Sequence, residues 1–97
     1  MKEKEIVQLK TRELYQLLLV KYVDLLLAHR LLCQVCNVAW YRSQIQAAKT
    51  PEGEALARWS VETARDELNR TLCAMNLCDL DKVLVRYIAD HYEFDKD

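Results

Sequence analysis

The sequence predicts an all-α protein: a long helix 1, an antiparallel helix 2 and a shorter helix 3, in a bundle completed by oligomerisation. Three observations predict it. A chain of 97 residues with one Gly (Gly53) and one Pro (Pro51) has too little turn punctuation for a β or α/β fold. Leu, Ala, Glu, Gln, Arg and Lys dominate, and all are good helix formers. The stretch Leu14 to Tyr41, LYQLLLVKYVDLLLAHRLLCQVCNVAWY, carries apolar residues at helical spacing. With 52% hydrophobic and 30% charged residues the chain should fold, and its length suits a single domain over 1–97.

Helix 1 is expected over about 4–48, because no Pro or Gly interrupts it. At helical rise it would be roughly 65 Å long, too long to lie within a compact domain of this size. Two polar strips divide its surface into two apolar faces. The first holds Leu14, Leu18, Tyr22, Leu25, His29, Leu32, Cys36 and Trp40, and from Leu18 to Cys36 its steps alternate four and three, like a heptad seam. The second holds Val20, Leu27, Leu31, Val38 and Ile45. A helix with two apolar faces packs on both sides.

Thr50 and Pro51 mark the start of helix 2, as N-cap and first helical residue, and the helix is expected over about 51–76. Ala57, Val61, Ala64, Leu68, Leu72 and Met75 form its buried stripe. Asp79 is the expected N-cap of helix 3, over about 80–93, with Leu80, Val83, Leu84, Tyr87, Ile88 and His91 facing inward. Residues 94–97 form an acidic tail. Folded back from the turn, helix 2 reaches only to about Tyr22 at helical rise, leaving Leu14 to Val20 uncovered. An uncovered apolar face marks an interface. The first face of helix 1 is therefore the expected homodimer (or higher) interface. Trp59, Leu56 and Tyr92 lie off the stripes of their helices and are candidate anchors for another protein.

Net charge is −1, with eight Lys/Arg against four Asp/Glu in residues 1–49 and six against eleven in 50–97. That split provides no uniform field for nucleic acid. No signal peptide is expected, because the first apolar run begins too late and has no small-residue cleavage site after it; no membrane span is expected, because Lys21 and Asp24 interrupt that run, so a cytoplasmic location is expected. Cys33-x2-Cys36 and Cys73-x4-Cys78 have the form of two zinc half-sites. Counted from the turn, Cys73 stands roughly 13 Å along the axis from the Cys33–Cys36 pair, too far for one ion. Core cysteines are the expected reading, with no metal and no cofactor. His29 is read as a core or interface histidine and His91 as a dipole contact at a helix end.

These features favour a non-catalytic protein acting through protein–protein contact as an adaptor, regulator or inhibitor. The alternative is an enzyme. The helix proportions, with Arg12, Arg30 and Arg42 along helix 1, resemble the dimeric all-helical chorismate mutases. The resemblance implies a site in which helix 1 arginines of both chains hold an anionic metabolite. The intervals between these arginines each differ by about one residue from that family's pattern, and its acidic and amide partners have no identifiable counterpart. Solvated polar strips account for the same arginines.

Overall fold

A computed structural model describes residues 2–75 and 77–93. Asn76, the expected end of helix 2, and the acidic tail 94–97 lie outside the described residues. Five helices follow in order: α1 (Glu3–Ile6), α2 (Thr11–Tyr22), α3 (Leu25–Ala47), α4 (Pro51–Ala74) and α5 (Asp79–His91).

The expected helix 1 over 4–48 is three helices. Two polar residues inside the run explain the breaks. Lys10 is extended, and its backbone N–H donates to Glu13 Oε1 at 3.0 Å, which starts α2. Val23 adopts the left-handed conformation (φ 50, ψ 35), and Asp24 then caps α3, its carboxylate accepting from the Leu27 N–H at 3.0 Å. A β-branched residue in that region is unfavourable by about 1–2 kcal/mol. Among the described residues Val23 is the one non-glycine at positive φ.

The break lets α2 fold back along α3. The molecule measures 42 × 29 × 22 Å, well short of a straight helix 1. Thr50 caps α4 by accepting from the Gly53 N–H at 3.0 Å, with Pro51 in the first turn. A Cβ on Gly53 would sit 3.1 Å from that Thr50 hydroxyl, so the cap leaves little room for a side chain. From this cap α4 returns antiparallel to α3, as the Gln34–Thr71 hydrogen bond shows (2.8 Å). α5 runs antiparallel to α4, tied by Arg65–Asp90 (2.8 Å) and Arg86–Asn69 (2.6 Å). It also runs antiparallel to α2. Lys21 meets Asp81 at 3.0 Å at one end, and Thr11 Oγ1 meets the Tyr92 hydroxyl at 3.0 Å at the other. The result is an up-down-up-down bundle of α2 to α5 centred on α3, with α1 packed on α5.

The core is one cluster. α2 contributes Leu14 and Leu18, α3 Ala28, Leu31, Val35 and Val38, and α4 Ala64, Leu68 and Leu72. α5 contributes Ile88, as expected, and Val85, Ala89 and Tyr92, which the sequence did not place inside. Leu80 and Val83, expected inside, stand 81% and 57% exposed. The helix is rotated so that Asp81 reaches Lys21, while Asp90 and Arg86 reach α4. That rotation turns 85, 88, 89 and 92 inward, an equally regular i, i+3, i+4, i+7 stripe.

Candidate functional site

Nine large apolar side chains stand exposed among the described residues. Six of them lie at one end of the bundle, where α2 passes into α3 and α5 begins: Val20 (77%), Val23 (85%), Leu25 (61%), Leu26 (81%), Leu80 and Val83. The Lys21–Asp81 ion pair fixes this neighbourhood, because it joins the last turn of α2 to the first turn of α5. Lys21 also holds the Asp81 carboxyl below the ordinary carboxylate range through its hydrogen bond. Together the six side chains expose on the order of 700 Å² of surface. That is close to one partner's share of a standard interface, about 800 Å².

The surrounding charge is mixed. Lys2, Lys4, Lys21 and Lys82 stand near Glu3, Asp24, Asp79 and Asp81. Beneath this end, the Tyr22 hydroxyl is buried with no hydrogen-bond partner among the described residues. Burial, then the nearby Asp81 carboxylate, pushes the Tyr22 pKa up to about 12.

The opposite end carries the other exposed apolar groups: Trp40 (47%), Leu56 (63%) and Trp59 (64%). Trp40, Tyr41, Gln44, Ala47, Leu56 and Ala57 line a cavity of about 360 Å³ where α3 ends and α4 begins. Trp59 borders a smaller cleft with Asn37 and Tyr41.

The expected interface residues are thus divided. Leu14 and Leu18 are 0% and 2% exposed and belong to the chain's own core, because α2 folds back instead of extending. Leu32, Cys36 and Tyr22 are half-buried against that core. Leu25 and His29 are exposed toward the apolar end, and Trp40 lies at the other. Tyr92, a candidate anchor for a partner, is 1% exposed; its ring is inside the bundle and its hydroxyl meets Thr11. Leu56 and Trp59 are on the surface.

Arg42 does not face solvent as a ligand-binding arginine would. Its Nη2 donates to the Ala89 and Tyr92 carbonyls at 3.1 and 2.6 Å, capping the end of α5. Burial lowers its pKa. Arg12 and Arg30 are exposed, and none of the three arginines lines the cavities described above.

The Gln34–Thr71 contact brings Cys73 to within about one helical turn of the level of Cys33, closer than counting from the turn suggests. Among the described residues, however, no three potential ligands converge on a metal position. Cys33 Sγ lies 3.6 Å from His29 Nε2 on the exposed side of α3. Cys36 is half-buried, and burial, followed by Cys33, raises its thiol pKa to about 11, so it stays protonated at neutral pH. His91 is exposed and packs against Tyr87, the two rings tilted by 40° with centroids 4.3 Å apart. Among the described residues no helix is long and apolar enough to cross a membrane.

Sequence reasoning did not single out Val20, Val23, Leu26, Leu80 or Val83 as surface groups. The signal for most of them was Asp24, a good N-cap set inside an apolar run. No protein-family model, curated protein or solved structure matches this chain.

Proposed function

We propose that this protein acts by protein–protein contact without catalysis, and that it self-associates through the apolar end formed by the α2–α3 corner and the start of α5. The observation that carries this reading is the concentration of Val20, Val23, Leu25, Leu26, Leu80 and Val83 at that end. Water contact with so much apolar surface is unfavourable by roughly 25 cal/mol per Å², and association removes it. The mixed charge around the patch suits another copy of the same surface, where each lysine finds a carboxylate across a two-fold axis. Contact with a different protein falls to the opposite end, at Trp59 and Leu56, and leaves an adaptor, regulator or inhibitor free to bind while self-associated.

The test is analytical ultracentrifugation of the wild type beside Leu26→Asp and Leu80→Asp. Both residues are 81% exposed, so neither change disturbs the core. The reading expects a concentration-dependent dimer in the wild type and monomer in both variants, with unchanged circular dichroism. Variants that associate as the wild type does would refute it.

A further inference from the structure

We infer that two copies of this chain exchange α1 and α2, with Val23 as the hinge. This inference rests on the self-association reading and specifies how the second copy is held. Four observations converge on it.

The hinge is strained in a way that straightening removes. Val23 is left-handed, β-branched and 85% exposed, so its conformation is imposed by the reversal of the chain and not by packing of its own side chain. Residues 11–47 contain no Gly or Pro. With Val23 and Asp24 in the right-handed region, α2 and α3 become one continuous helix, and the strain is gone. A short strained connection is the feature that favours exchange.

What α2 leaves behind demands replacement. Straightening alone would expose Leu14 and Leu18 and break the contacts of Lys21 with Asp81 and of Thr11 with Tyr92. An identical α2 from a second copy restores all of them, because each joins α2 to the rest of the bundle.

The seam is symmetric about the hinge. Leu14 and Leu32, Leu18 and His29, and Tyr22 and Leu25 stand at nearly equal distances on either side of Val23–Asp24. The Tyr15 ring meets His29 edge-on at 6.4 Å, so α2 and α3 already pack against each other within one chain, three residues from this register. Two continuous helices running antiparallel about a two-fold axis repeat the same pairs between chains.

The exposed apolar groups lie where the second body arrives. Val20, Leu25 and Leu26 are within three residues of the hinge, and the Lys21–Asp81 pair brings the start of α5 beside them. Straightening the hinge sets a second bundle against this end of the first.

The experiment uses the ion pair as a reporter. Full-length unlabelled and 15N-labelled chains are unfolded, mixed and refolded, and the dimer is isolated by size exclusion. A zero-length carbodiimide then joins the Lys21 amine to the Asp81 carboxyl as an amide, and the linked peptides are weighed by mass spectrometry. Exchange predicts that half of the Lys21–Asp81 pairs carry one light and one heavy peptide. It also predicts that Val23→Gly, which accepts the left-handed conformation, weakens the dimer by roughly tenfold or more, while Asp24→Ala, which removes the α3 cap, tightens it. A dimer whose linked pairs are all of one isotope overturns the exchange and leaves self-association standing. A monomer at every concentration up to about 100 µM, far above the dissociation constant of a stable dimer, overturns both.

Discussion

Replacing Arg42 by Met should cost the fold far more than a surface arginine would. The guanidinium of Arg42 gives two hydrogen bonds to backbone carbonyls at the end of α5, to Ala89 at 3.1 Å and Tyr92 at 2.6 Å. Hydrogen bonds from a charged donor contribute about 1.5–3 kcal/mol each, but these share one nitrogen and are not additive. The cation at the negative end of the α5 dipole adds about 0.3–1 kcal/mol. Against this, burial disfavours the charge, and Arg42 Nε is buried with no partner among the described residues, so its removal recovers some desolvation. The balance is a loss of about 2–3 kcal/mol, with Met keeping the packing of the stem. In a domain of this size that lowers the melting temperature by on the order of 10–20 °C. Urea and thermal unfolding at pH 7 measure the loss, and hydrogen exchange of the Ile88 to Tyr92 amides localises it. Lys at this position should recover less than half, since an ammonium does not span both carbonyls in the same geometry. A change below about 0.5 kcal/mol, in the range of ordinary surface substitutions, with unaltered exchange in α5 would refute the capping role.

Other outcomes follow from the same packing. Leu14→Ala should destabilise by about 2–5 kcal/mol in urea unfolding, because Leu14 is fully buried; on an exposed seam it would change little. Tyr22→Phe removes a buried hydroxyl that has no partner among the described residues, and stability should stay level or rise. In alkali, stability should fall. The folded pKa values of Cys36 and Tyr22 lie above the ordinary 9.0 and 10.0, at about 11 and 12, so the folded state holds protons that the unfolded chain releases. The loss should begin near pH 9 and continue to pH 12. Cys36→Ala should flatten its first part and Tyr22→Phe its second. A small dicarboxylate should produce no thermal shift, since Arg42 is engaged with α5.

The sequence announces its helical class and the start of α4 openly, through the helix formers and the Thr50–Pro51 pair. It hides the corner at Val23–Asp24. Nothing in an apolar run of helix formers forbids continuation, and the choice to turn is tertiary: folding α2 back buries Leu14 and Leu18, which outweighs the backbone strain at Val23. A lone Asp is weak evidence against that background, although it is the residue that satisfies the freed N–H of Leu27. The rotation of α5 was ambiguous for another reason. Its sequence carries two apolar stripes of equal regularity, and ion pairs with α2 and α4 select between them. The candidate site was only partly legible because it depends on both: Leu25 lay on the expected interface, while Val23, Leu26, Leu80 and Val83 become surface only through the corner and the rotation.

Sedimentation equilibrium of the unmodified protein from about 1 to 100 µM, the range that separates stable from weak association, tests the central claim most directly. Self-association through the apolar end predicts an average mass that rises from 11.4 kDa toward twice that value, and a rise abolished by Leu26→Asp. A mass of 11.4 kDa across the whole range would contradict it.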